Sequence, residues 1–342
     1  MDIFELIKEL TTGDGVSGSS DGFLTYAENI LKKYCRETHI DKAGNVIGFI
    51  PCGKKNAKKL MVEAHYDRIG LMVKNIDENG FIEFDVVGGV DKRILPSAEV
   101  LVLGREKLFG VIGAKPPHLR EKKDENKIDA KDMLIDVGMS FDEVSELVSI
   151  GDFIVLYQEP VRLINNRISG AALDNRAGMA SVICFLEKLS GLAIEYDLYP
   201  VFTSGEECGL IGAYSAAFVI NPDISVSVDA TFGKSENDNA PSGTFELGCG
   251  AVIFRGPDTS YEGSLNLIKR AKEKGIPYDI EAAGSSGTNA AAIQNARGAA
   301  ETYLLSVPVK YMHQTVEMLS ASDVEAVADL ILEIAVGGVL SA

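Results

Sequence analysis

Acids and histidines recur in this sequence where short apolar runs end. His65 and Asp67 follow the run 60–64, Glu206 and Glu207 follow 198–203, Asp229 closes 224–228, and His313 lies beyond 302–307. Asp174 stands at the mouth of a helical pattern, in Leu173-Asp174-Asn175-Arg176. Carboxylates and imidazoles are the donors that Zn²⁺, Co²⁺ or Mn²⁺ accept. If the apolar runs are strands of an open α/β sheet, their carboxyl ends share one crevice and the donors meet in it. Each residue also has an ordinary reading: a hydrogen-bonded structural histidine, an Asp capping a helix, a solvated acid pair, a turn residue. Placement leaves a two-metal site and these readings both open, and it names no substrate. His39 and His118 lack such placement and are read as structural.

Two further motifs compete. Gly18-Ser19-Ser20-Asp21-Gly22 matches the G-x-S-x-G nucleophile elbow in letters only, because that elbow must join a strand to a helix and this one follows a helix and a loop. Ser20 is read as a helix-entry residue. Gly284-Ser285-Ser286-Gly287-Thr288 could cradle a phosphate with backbone N–H groups, but it has no Walker lysine. No H-E-x-x-H and no G-x-G-x-x-G after the first strand is present, which excludes a thermolysin-like zinc protease and gives no dinucleotide fingerprint.

The elements that must position the acids follow from periodicity. Ile3, Leu6 and Ile7 share a helical face, and 23–35 repeats that spacing. After Gly70 the texture changes to alternation, with Ile82, Phe84 and Val86 following an Asn79-Gly80 hairpin signal. Short strands at 100–103, 108–112, 134–137 and 153–156 continue it, with a charged loop over 120–131 and a helix over 140–148 opened by a Ser140/Glu143 capping box. From about residue 165 helices and strands alternate: helix 176–189, strand 198–203, a helix ending near Phe218, strand 224–228, helix 264–274, strand 278–282, helix 290–295, strand 302–307. A last helix is expected from Ser322, with Glu325 completing a second capping box. This order predicts an α/β fold, with a mostly parallel central sheet flanked by helices and a small β-rich insertion. The expected division is a discontinuous domain over 1–71 and 164–342, interrupted by a second over 72–163.

Composition agrees with that plan and narrows the partners. The chain has 342 residues, more than one average domain, and 46% hydrophobic against 24% charged residues, as globular proteins do. A net charge of −17 argues against nucleic acid or an anionic membrane, both of which need a basic face. Five cysteines without a CxxC signal neither a zinc ribbon nor a redox motif. No apolar run approaches the ~18 residues of a membrane span. Met1-Asp2-Ile3-Phe4-Glu5-Leu6 lacks the basic start of a secretory signal, so a cytoplasmic protein is expected.

Six blocks, in order and spanning nearly the whole chain, resemble the tetrahedral aminopeptidase and glutamyl aminopeptidase family of dinuclear metallopeptidases. They are Ala64-His65-Tyr66-Asp67-Arg68-Ile69-Gly70, Gly113-Ala114-Lys115-Pro116-Pro117-His118-Leu119, Ala172-Leu173-Asp174-Asn175-Arg176-Ala177-Gly178, Glu206-Glu207-Cys208-Gly209-Leu210, Asn221-Pro222-Asp223-Ile224 running on to Asp229-Ala230-Thr231, and Tyr311-Met312-His313. The resemblance implies the zinc-exopeptidase, phosphorylase/hydrolase-like fold with an inserted assembly domain. It implies two divalent ions per subunit, Zn²⁺ first and Co²⁺ or Mn²⁺ as alternatives. Asp174 would bridge them, His65 and Asp229 would complete one, and Glu207 and His313 the other. Glu206 would be the general base, and Asp67 would hydrogen-bond the far nitrogen of His65. The implied substrates are peptides with a free N-terminus, and the implied state is a homo-oligomer, from dimer to dodecamer. Arg68 stands where an acid is expected, Asn289 where the family usually has Asp, and Gln314-Thr315 replaces a common Ser-Pro; these bear on substrate preference. Alternatives of other classes are an inactive, chaperone-like assembly on the same fold and a di-metal hydrolase of another amide or of a glycan.

Overall fold

The computed structural model describes residues 1–19, 22–113, 133–235 and 243–337. The sequence-derived readings of Ser20, Asp21, His118 and the charged loop 120–131 lie outside them.

Two helices open the chain. α1 (Ile3–Thr11) starts on the Asp2 carboxylate, which accepts the Phe4 N–H at 2.9 Å, and it buries Ile3, Ile7 and Leu10 along one face. α2 (Phe23–Leu31) follows, then β1 (Glu37–Ile40), β2 (Val46–Phe49) and β3 (Lys59–His65). The chain then leaves for a closed barrel built from β4 (Gly70–Ile76), β5 (Ile82–Val87), β6 (Glu99–Leu103), β7 (Lys107–Gly113), β8 (Leu134–Asp136) and β9 (Phe153–Leu156), with α3 (Phe141–Leu147) before the last strand. Closure in the order β4-β5-β8-β7-β6-β9 gives the barrel its own core, including Leu71, Val73, Ile82, Phe84, Val102, Ile135 and Ile154. In α3 the Glu143 carboxylate accepts the Ser140 N–H at 2.8 Å, one half of the capping box.

The return passes through β10 (Val161–Leu163) and β11 (Arg167–Gly170) into α4 (Leu173–Leu189). Then come β12 (Asp197–Thr203), α5 (Ile211–Ile220), β13 (Ile224–Phe232), β14 (Ala251–Arg255), α6 (Tyr261–Lys274), β15 (Tyr278–Ala282), α7 (Asn289–Gln294), β16 (Glu301–Val309), β17 (Glu317–Ser320) and α8 (Ala321–Gly337). The large sheet has the order β1-β2-β12-β3-β13-β16-β14-β15. Its centre, β12, β3, β13 and β16, is parallel, whereas β1–β2, β2–β12 and β14–β16 pair antiparallel. Helices cover both faces, as a parallel centre requires. Alternate residues of β3 show why: Val62 and Ala64 pack on the side of α4 and α8, while Met61 packs with Ala213, Ala216 and Ile220 of α5 and Ile293 of α7.

One local reading is corrected, and strands are added. α8 begins at Ala321, which puts Ser322 inside its first turn with its hydroxyl 2.9 Å from that of Ser320, so Ser322 does not cap the helix. β1, β10, β11, β14 and β17 add to the strands read from periodicity.

Candidate metal centre

Parallel strands deliver their carboxyl ends to one edge, and the register sets which residues meet there. His65 ends β3 opposite Thr203 of β12, after which the chain turns through Ser204-Gly205 to Glu206 and Glu207. Asp229 lies in β13 next to β3, beyond the last paired residue Val228. Asp174 does not cap α4. Its backbone is extended (φ −81°, ψ 107°) within the first turn, and this turns the carboxylate into the crevice. His313 arrives from the segment between β16 and β17 with φ +59°, a left-handed conformation that costs a non-glycine residue energy and is held by its surroundings.

These residues form two groups around Asp174. His65 Nε2 is 3.3 Å from Asp174 Oδ1 and 3.4 Å from Asp229 Oδ1. His313 Nε2 is 3.5 Å from Asp174 Oδ2 and 3.6 Å from Glu207 Oε2. Each Asp174 oxygen thus faces a different imidazole. Two donors bound tetrahedrally to one Zn²⁺ at ~2.0–2.1 Å lie roughly 3.3–3.4 Å from each other, close to these spacings. Donor atoms of His65, Glu206 and Asp229 lie within 4.8 Å of one another, as do those of Asp174, Glu207 and His313. Asp174 Oδ1 is buried and has no hydrogen-bond partner. A buried carboxylate oxygen is not normally left so, and a cation between it and His65 would satisfy it. The donor set, all N and O, also fits a divalent ion.

The electrostatics have the same sense. Burial, reinforced by the neighbouring Asp229, Asp174 and Glu207, pushes Glu206 up to about 9. Burial and Asp174 push Glu207 up to about 7, and burial raises Asp229 as well. The hydrogen bond to Asp174 raises His313 to about 9. Burial works against a charged His65, yet Asp229 and Asp174 outweigh it and hold that imidazole well above its usual range. Asp174, despite burial, is held below the carboxylate range by the two histidines. The cluster holds more acid than its imidazoles can balance, which is what dications supply.

Asp67 works differently from the expectation. The partner of His65 Nδ1 is the Asp67 main-chain carbonyl at 3.0 Å, while the Asp67 carboxylate is 3.6 Å away, too far for a hydrogen bond. That carboxylate instead accepts the main-chain N–H groups of Glu206 at 3.1 Å and Glu207 at 3.2 Å. Burial pushes Asp67 up, but His65 and these donors hold it below the usual range.

Several residues to which the sequence assigned no role in the site support the cluster. Glu317 in β17 accepts the Asp174 N–H at 3.1 Å and the His313 N–H at 2.8 Å. Glu63, fully buried below His65 in β3, accepts from Thr203 at 2.8 Å, from Asn289 at 3.0 Å and from Ser227. Asn175 donates to the Val228 carbonyl at 2.7 Å, tying the start of α4 to β13. Arg68 is buried and donates to the Leu156 carbonyl at 2.9 Å, in the barrel. Their roles leave no local trace, since each acts through partners remote in sequence. The Ser286 N–H in the glycine-rich segment is taken by Asp258 at 2.6 Å, and His39 is exposed on β1.

Comparison with known proteins gives concordant results. The model of the M42 glutamyl aminopeptidase family matches residues 44–330. A lysyl aminopeptidase of Pyrococcus furiosus is 36% identical over 94% of this chain and 93% of its own. An aminopeptidase structure from Desulfurococcus kamchatkensis superposes with a TM-score of 0.91 at 30% identity, covering 99% of this chain and 95% of that one. The TET1 peptidase of Pyrococcus horikoshii, described as assembling into a tetrahedron or a large octahedral shell, superposes with a TM-score of 0.86 at 30% identity, over 98% and 99%.

Proposed function

This chain belongs to the M42 glutamyl aminopeptidase family and is an aminopeptidase, a hydrolase of peptides, and from that premise we propose how its own residues carry the reaction. Asp174 would bridge two divalent ions, Zn²⁺ first and Co²⁺ or Mn²⁺ as alternatives; His65 and Asp229 would complete one, and Glu207 and His313 the other. The observation that carries this reading is that the two oxygens of Asp174 face the two imidazoles, one of them with no other partner. When bound, such a pair lowers the pKa of a water molecule and polarises the scissile carbonyl.

The remaining steps belong to side chains. Glu206 takes the proton of the attacking water and returns it to the departing amine. Its place beside His65 and Asp229, with donor atoms within 4.8 Å of one another, supports that task. Asp67 fixes the backbone of Glu206 and Glu207, so that adjacent residues serve different halves of the centre. Its backbone carbonyl holds the His65 Nδ1 proton and leaves Nε2 free to ligate. The substrate is a peptide with a free N-terminus.

Residues 72–163 act as an assembly domain for the catalytic unit formed by 1–71 and 164–342. The closed barrel with a separate core and exposed Phe109, Val111 and Ile150 supports this. The active form is a homo-oligomer, a dimer or a larger shell up to a dodecamer, and works in the cytoplasm. Among the described residues no helix is long and apolar enough to cross a membrane.

The deciding experiment compares wild type with Asp174→Ala. Wild type should hold two ions per chain by elemental analysis and cleave aminoacyl-p-nitroanilides but not their N-acetylated forms. Asp174→Ala should lose both ions and the activity. Full metal content and turnover in a folded Asp174→Ala protein would remove the bridging role.

A further inference from the structure

We infer that the Gly88-Gly89 turn, which leaves the barrel after β5, is a positioning element for the Glu207/His313 half of the centre, with Gly89 orienting His313; the inference rests on the two-metal reading above. The Gly89 carbonyl lies 3.0 Å from His313 Nδ1. A carbonyl only accepts, so the proton sits on Nδ1 and the lone pair of the neutral ring is left on Nε2. That Nε2 is the atom facing Asp174 Oδ2 at 3.5 Å and Glu207 Oε2 at 3.6 Å.

Close approach makes the glycine specific. A Cβ on residue 89 would stand 2.7 Å from His313 Nδ1 and 2.9 Å from Cε1, so the ring would have to swing away from any side chain there. Gly88 has φ +76°, and a Cβ on it would lie 3.5 Å from Glu207 Oε2 and 2.9 Å from Ile69 Cγ2. The turn therefore touches both side chains of one half-site.

The two histidines are held in unlike ways. His65 is 1% exposed and takes its carbonyl from Asp67, two residues on. His313 has 35% of its side chain open to solvent and takes its carbonyl from a turn 224 residues distant. With less packing around the ring, its orientation depends more on that one bond. The turn itself is anchored in the barrel: β5 pairs with β4 and β8, Val90 packs on the barrel core, and the Val90 N–H donates to Gly88 O at 3.0 Å. The barrel thus contributes to the metal centre through this turn.

The test strips full-length protein of metal with a chelator and titrates Zn²⁺ back by calorimetry, with stoichiometry checked by elemental analysis. Wild type should bind two ions. Gly89→Ala should keep one and bind the other ~10–100-fold more weakly, the usual effect of losing such a partner. Val90→Gly, which adds no atom near the ring and loosens the turn, should weaken the same ion; it also serves if Gly89→Ala does not fold. Gly113→Ala, a barrel position whose Cβ meets nothing within 4 Å, should bind as wild type. In a His313→Ala background, Gly89→Ala should cause no further loss. Wild-type affinity for both ions in Gly89→Ala, equal weakening of both, or further loss in the His313→Ala background would each overturn the inference. A wild-type protein that binds fewer than two ions would overturn the two-metal reading and the inference with it.

Discussion

Glu317 accepts the main-chain N–H of His313 at 2.8 Å through Oε1, and through Oε2 it accepts that of Asp174 at 3.1 Å. One buried carboxylate thus joins the backbone of two proposed ligands that are far apart in sequence. Replacing Glu317 by Gln turns an N–H₂ group toward one of these donors, and an unsatisfied buried donor costs ~1–3 kcal/mol. Because Asp174 is shared, Glu317→Gln should lower affinity for both ions by ~10–100-fold while the far-ultraviolet circular dichroism is unchanged. Competition with a chromophoric chelator reads this directly, and wild-type affinity would remove Glu317 from the support of the centre.

Metal uptake should expel protons. With His313 raised to about 9 through its hydrogen bond to Asp174, and His65 raised well above its usual range against the effect of burial, both imidazoles carry a proton at pH 7 in protein stripped of metal. A cation needs the neutral ring, so binding releases ~1–2 protons at pH 7. The sign follows: affinity should climb as pH rises from 6 through about 9, the range in which His313 gives up its proton. Calorimetry in buffers of different ionisation heat measures the release. Binding without proton release at pH 7 would contradict this charge state.

The periodic parts of the fold were legible because they bury one face. β7, alternating buried and exposed residues, and α6, burying Ser264, Leu267 and Ala271 along one face, are placed within a few residues by that spacing. β17 was not, because Glu317-Met318-Leu319-Ser320 has no alternation and gains its identity from pairing with β11. The acids and histidines of the crevice stood out by position, at or beyond strand ends and, for Asp174, at the start of α4. Glu317, Glu63 and Gly89 did not, since hydrogen bonds between residues more than a hundred apart leave no local trace. Asp67 shows the limit within a legible motif: its place beside His65 was clear, but its carboxylate serves the backbone of Glu206 and Glu207.

The outside of the barrel should be where copies meet. Along β7, Leu108 and Ile112 point inward while Phe109 and Val111 are 50% and 42% exposed. Outward residues contribute little to the barrel core, so Phe109→Ser with Val111→Ser should change folding stability by only ~0.5 kcal/mol. If they lie in an interface, the double variant should elute smaller than wild type in light-scattering chromatography, with an unaltered melting profile at low concentration. A wild-type protein that is strictly monomeric at micromolar concentration would defeat the assembly role.

The sharpest division is between Glu206 and Glu207. The carboxylate of Asp67 holds both main-chain N–H groups, and from that fixed backbone the side chains diverge: Glu206 toward His65 and Asp229, Glu207 toward Asp174 and His313. Glu207→Gln should weaken one ion, because a neutral amide is a poor donor to a dication. Glu206→Gln should keep two ions and near wild-type KM but lower kcat ~10²–10⁴-fold, the usual effect of removing a general base. Glu206 also lies within ligand distance of His65 and Asp229, so metal content is the arbiter. Loss of an ion in Glu206→Gln would make Glu206 a ligand, and two ions with wild-type turnover would show that the proton goes elsewhere. Only full metal with a low kcat supports the base.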